Sequence, residues 1–276
     1  MPWALALPSV SFLAVTFVWP IMRTIGSSFT GTGSVTTENY RALVSDPYYA
    51  RVGVTTALIA LVVVALTLLL GYPAAWFLVR SGSRYRHILL LALIAPLLVS
   101  IVIRTVGWLI LLGDQGPVLY LWRSVFGPAD VPTLLFNPYA IIVGMTHILV
   151  PFMVISIASS LAAVDRSLEH VAASLGAGPV QVFRRITFPS TLPGVVSGCI
   201  LVFSLTVGAY LTPLFLGGGK IATVASTIYE EAMVLIDIPR SAALSVLLLV
   251  VVFAPLVAVS AVSRRRRRVR GARVDS

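Results

Sequence analysis

Charge is scarce in this sequence, and negative charge scarcer still: ten Asp and Glu stand against twenty Lys and Arg in 276 residues, so charged residues make up 11% of the chain. Soluble domains carry about a quarter. A surface so poor in charge has too little polar material to cover the 58% of residues that are hydrophobic. This excludes an aqueous globule and favours lipid, which needs no polar coat. Cysteine is limited to Cys199, which excludes an intrachain disulfide and, among apolar neighbours, points to an inert buried thiol. No G-x-x-x-x-G-K-[ST] phosphate loop occurs, so the chain brings no nucleotide chemistry of its own. No cofactor, metal or catalytic residue is expected.

The net charge of +10 raises the question of nucleic acid. Placement argues against it, because seven of the twenty basic residues follow Ser263 as Arg264 to Arg268, Arg270 and Arg273, directly behind an apolar run. That is a membrane-flank pattern without interleaved aromatics. Such a tail is attracted to anionic lipid headgroups by about 1 kcal/mol per residue near the surface.

Apolar runs of bilayer length predict an all-α, polytopic bundle of six transmembrane helices. They cover about Pro2–Gly26, Gly53–Val79, Ile88–Leu112, Tyr139–Ala162, Pro193–Leu216 and Ser241–Val262. The uncharged start lacks the basic region of a secretory signal and reads as a retained first helix. The loop after the third run mixes aromatics, Gly and Pro, as a structured outer loop with a short interfacial helix does. Basic residues between the second and third runs (Arg80, Arg84, Arg86), between the fourth and fifth (Arg166, Arg184, Arg185) and in the tail number thirteen. The opposite side has five: Arg41, Arg51, Arg123, Lys220 and Arg240. With an even number of spans this places both termini in the cytoplasm, although Arg23 sits at the outer end of the first run.

The segment from Asp165 to Gly194 is polar and patterned. Asp165 is a helix N-cap, and Leu168, Val171, Ala172 and Leu175 fall at i, i+3, i+4 and i+7 on one face of a short helix. Gly176 suits a left-handed helix end and Pro179 the first turn of a second helix. The small residues Ala172, Ala173, Gly176, Ala177 and Gly178 permit close approach by another protein. The competing reading is a polar connector held against its own bundle.

This segment resembles the signature loop of ABC importer permeases, a Glu-Ala-Ala stretch, a Gly, nine residues, then Ile-x-Leu-Pro. The matching residues are Ala172, Gly176, Ile186 and Pro189, with Phe188 in place of Leu. His170 and Val171 occupy the positions of Glu and Ala, and Glu169 lies one residue early. The resemblance implies the fold of a type I importer transmembrane domain in a bacterial inner membrane, with loop 163–192 seated in a cytoplasmic ATPase subunit. It further implies an ATPase dimer, a second permease subunit and an extracytoplasmic solute-binding protein as partners. Asp165, Glu169, His170, Ala172, Ala173, Gly176, Ile186 and Pro189 are then the candidate coupling residues. ENYRALVSDPYYARVGVTTALIALV, GYPAAWFLVR, IRTVGWLILLGDQGP, SLTVGAYLTPLFLGG and IYEEAMVLIDIPRSAALSVLLLVV resemble spermidine/putrescine-type permeases, which implies a polyamine as the small-molecule solute. Permeases for other small organic solutes share much of this pattern.

Candidate path-lining residues are Arg104, Trp108, Tyr210 and Thr212, with Pro213 interrupting the fifth helix. Arg104 is costly in an apolar span unless it snorkels, pairs or faces a cavity, and its charge repels a polyamine. His147 reads as one end of an interhelical hydrogen bond. Glu230, Glu231 and Asp237 read as solvated outer-loop charges. The rival class, an ion-gradient-driven carrier, needs acids within the membrane or inverted repeats, and every Asp and Glu lies outside the six runs. The expected blocks are a first helix and outer segment (1–50), a five-helix permease domain (51–262) and a basic cytoplasmic tail (263–276).

Overall fold

A computed structural model of the protein describes residues 8, 10–30, 36–127 and 132–271, with side chains as far as Ala261. Most of the stretch expected to open the first helix, and the side chains of the basic tail, lie outside the described residues. The described residues are helical almost throughout, and six of the helical segments are long and apolar enough to cross a membrane.

In chain order the helices are α1 (Val10–Ser28), α2 (Glu38–Ser45), α3 (Pro47–Arg80), α4 (Arg86–Leu98), α5 (Ile101–Leu112) and α6 (Pro117–Phe126). They continue with α7 (Pro138–Ala162), α8 (Arg166–Ser174), α9 (Pro179–Val207), α10 (Leu211–Gly217), α11 (Val224–Met233) and α12 (Ile238–Gly271). Contacts group the chain into two compact units, 57–222 and the terminal portions 1–56 with 223–276. This division differs from the expected sequence blocks.

The unit 57–222 is organised about α7 and α9. Gly194 and Gly198, four residues apart on α9, offer no side chain to hold the helices apart, and a Cβ at Gly198 would stand 2.7 Å from Met153 Sδ. Small residues at this spacing allow close helix approach, the main packing gain where lipid removes the hydrophobic drive. Ile141, Met153, Val154, Ile157, Val202 and Leu216 are sealed in the resulting core.

In the other unit, α1, α2 and α11 pack on α12. Leu43, Ala243 and Leu244 form its small core, flanked by Tyr40, Tyr49 and Ile228. A reciprocal cap between Thr223 and Ser226 starts α11.

Several expected boundaries are corrected. The second span begins at Pro47, not Gly53. The third is not one helix over Ile88–Leu112: the chain is extended at Val99, and the Ser100 side chain accepts from Val102 N to start α5 afresh. Pro96, lacking an N–H, weakens the last turn of α4, and a fresh cap makes the break stable. At thirteen residues α4 is too short to cross, and the long apolar stretch is instead Ile101–Phe126. The fifth span is Pro179–Val207, ending at Gly208 before α10. Pro213 therefore does not interrupt it. It sits in the first turn of α10, where a backbone N–H would lack an intrahelical partner in any case.

Candidate functional site

The candidate site residues fall in two regions, both in the unit 57–222. The first is the projection made by α8 and the start of α9. Asp165 Oδ1 accepts from Ser167 N at 2.8 Å, closing the N-terminus of α8. Hydrogen bonds from the Ser167 backbone N–H and the Ser167 side chain hold its carboxyl below the ordinary carboxylate range. At the other end Gly176 has φ +90°. Gly176 N bonds Ala173 O and Ala177 N bonds Ala172 O, each at 3.0 Å. This paired closure needs a left-handed residue, which glycine supplies without a Cβ clash. Gly178 then leads into Pro179 at the first position of α9, and the turn Phe183–Thr187 is a wider π-helical one.

The face of α8 carrying Glu169 turns toward its own bundle. Glu169 Oε1 accepts from Arg80 Nη2 and from Thr187 Oγ1, each at 2.9 Å. Arg166 Nη2 donates to Val79 O at 2.8 Å, satisfying a free carbonyl at the end of α3. Alongside, Tyr72 and Trp76 of α3 meet the Phe183 ring edge-on at centroid distances of 5.6 and 5.7 Å. Tyr72 OH and Thr191 Oγ1 lie 3.0 Å apart.

The opposite face is open. Leu168, Val171 and Leu175 are 54%, 58% and 83% exposed, and His170 and Ala173 are exposed as well. A Cβ at Gly176 or Gly178 would meet nothing within 4 Å. Of the apolar face expected from the periodicity, Leu168, Val171 and Leu175 are thus mostly exposed and Ala172 is partly covered. Pro189 is exposed, while Ala172 and Ile186 are half-buried.

The second region joins α5, α7 and α10. Trp108 Nε1 donates to His147 Nδ1 at 3.3 Å, an interhelical bond of the kind expected for His147. Both rings line a cavity of about 480 Å³, walled by apolar residues such as Leu66, Leu93 and Val150. Thr212 is fully buried, its Oγ1 3.5 Å from that of Thr105. Tyr210 is exposed just before α10. Arg104 is half-buried, with Nε and Nη1 shielded and accepted by no group among the described residues. Trp108 is thus the one of the four candidate lining residues that borders this cavity.

Sequence reasoning missed Arg80, Thr187 and Tyr72. Arg80 was visible as a cation ending a span, a position that suits the helix dipole, but a pairing across 89 residues leaves no mark in one sequence. It also misjudged Glu231. That carboxylate is buried rather than solvated, accepting from Tyr49 OH at 2.7 Å with Arg240 Nη1 at 3.7 Å. Glu230 is exposed, and Asp237 pairs with Arg240 at 3.5 Å.

Six segments able to cross a membrane, with a capped helix-turn-helix that leaves an apolar face uncovered, define a polytopic helical membrane protein. The chain belongs to the family of binding-protein-dependent transport system inner membrane components, whose description matches residues 67–268. It is therefore a multi-pass inner membrane protein. It is 34% identical over 252 residues to the spermidine/putrescine transport system permease protein PotB of Escherichia coli K12, covering 88% of this chain and 90% of that one. To the PotB of Haemophilus influenzae it is 31% identical over 241 residues, 87% and 82% of the two chains. In fold it is similar to a chain of the bacterial alginate ABC transporter crystallised with an alginate pentasaccharide-bound periplasmic protein. The TM-score is 0.77 at 18% identity, over 95% of this chain and 93% of that one.

Proposed function

We propose that this chain is a permease subunit of an ATP-driven importer for spermidine, putrescine or a related polyamine. A separate cytosolic ATPase dimer supplies the energy, a second permease completes the path, and an extracytoplasmic binding protein delivers the solute. The ATPase seats on the projection of α8 and the start of α9. Asp165 and Gly176 fix the ends of α8, and His170, Ala172, Ala173, Ile186 and Pro189 lie on or beside the docking segment. Trp108, and with it Arg104, Tyr210 and Thr212, belongs to the helices that form the path. Both termini are cytoplasmic.

One observation carries the coupling role: a helix closed at both ends holds Leu168, Val171 and Leu175 more than half exposed. Apolar side chains fixed in water at that density mark a protein contact surface. The solute assignment is supported by the likeness to the two PotB proteins.

The test is ATP hydrolysis by the reconstituted complex in vesicles, with and without binding protein loaded with spermidine. Stimulation by the loaded binding protein, lost on Leu175→Glu, is expected. Leu175→Glu with full stimulation contradicts the docking surface. Stimulation by an unrelated solute and not by polyamines contradicts the substrate class.

A further inference from the structure

The family pattern places an acid in the signature loop, and this chain's acid there is turned the other way. Glu169 is turned mostly inward: its side chain is 17% exposed, that of Arg80 10%, and the two meet at 2.9 Å. The same Oε1 takes the hydroxyl of Thr187, which is itself fully buried. One carboxylate oxygen therefore ties three elements: the end of α3, the middle of α8 and the base of α9. Arg166 adds a second tie from α8 to α3 one helical turn away.

Side-chain direction explains the split. Residues 166 and 169, three apart, share one face of α8, and Leu168, Val171 and Leu175 occupy the other. A push on the open face is thus opposed by charge-assisted hydrogen bonds at the back, which are directional and about twice as strong as neutral ones. The ring contacts of Phe183 with Tyr72 and Trp76 stiffen the same junction.

We propose that Arg80, Glu169 and Thr187 form a strut through which movement of the projection reaches α3, and that Glu169 is a positioning residue for coupling and not a contact to the ATPase. This rests on the reading that the projection docks on an ATPase. The polar contribution at the docking surface then falls to His170, with apolar contact dominating. Loss of the strut lets the projection move without carrying α3, so nucleotide is hydrolysed without proportionate transport.

The experiment uses the full complex in vesicles. A photo-crosslinking residue at position 175 reports docking, and the ratio of solute transported to ATP hydrolysed reports coupling. Glu169→Gln and Arg80→Gln are expected to retain the cross-link and to lower the ratio by at least about fivefold, the lower range of a coupling free energy. The exchanged pair, Glu169→Arg with Arg80→Glu, is expected to recover most of it. Thr187→Val, which removes one hydrogen bond and keeps the shape, is expected to give a smaller drop. It also serves should a charge-removed variant fail to assemble. Unchanged ratios in variants that still cross-link overturn the strut alone. Loss of the cross-link in Glu169→Gln makes Glu169 a docking contact and likewise overturns it. If the unsubstituted complex gives no cross-link from position 175 to the ATPase, the docking reading falls and the strut with it.

Discussion

Gly176 and Gly194 show two different reasons for a glycine. At Gly194 a Cβ would run into the Ser156 carbonyl and the Ser160 side chain, so the absent side chain is what lets α7 and α9 meet. At Gly176 a Cβ would meet nothing, but φ is +90°, so the demand is on the backbone. Gly176→Val should cost about 1–2 kcal/mol through left-handed strain, and Gly176→Asn, which tolerates that region better, should cost less. Hydrogen exchange at the α8 amides, slower in the Asn variant than in the Val variant, checks the order. Arg104 poses a sharper question. A polyamine passing close to its half-buried guanidinium is repelled, so Arg104→Gln is expected to leave spermidine uptake unchanged or raise it. A tenfold or greater fall in spermidine uptake would show that the charge serves transport and contradict this expectation.

At the scale of elements, α8 was legible because its start, face and stop are all local. Asp165 caps, the apolar positions follow the helical period, and Gly176 ends the run. The breaks in the third and fifth spans were not legible, since hydropathy sees apolar residues and not the cap at Ser100 or the stop at Gly208. The far side of α8 was also hidden, because which side chain meets Arg80 depends on packing between distant segments. The cap carries a pH signature. With its carboxyl held below the ordinary range, Asp165 contributes stability that is present above about pH 4, the unfolded value. That stability is lost as pH falls through the lower folded value. Asp165→Asn keeps an acceptor and should make α8 amide protection independent of pH across this window. Asp165→Ala should lower protection throughout. Exchange rates corrected for intrinsic chemistry measure both.

For the whole molecule, the decisive quantity is sidedness. The proposed topology puts the α8 projection and both termini in the cytoplasm, on the charge bias of thirteen basic residues against five about the six runs expected from the sequence. Charge on short loops sets orientation during insertion, so Arg84, Arg86 and Arg166 near the projection, with Arg184 and Arg185 at the start of α9, favour keeping that end of the helices in the cytoplasm. With Cys199→Ser as background, a cysteine at position 175 should react with a membrane-impermeant maleimide in inverted vesicles and not in right-side-out ones. A cysteine at position 230, on the exposed side of α11, should show the opposite preference. The two positions differ in loop and not in chemistry, so a reversal of the pattern cannot be traced to local reactivity. Such a reversal would put Leu168, Val171 and Leu175 where no cytosolic motor reaches them, and both the docking surface and the strut behind it would lose their purpose.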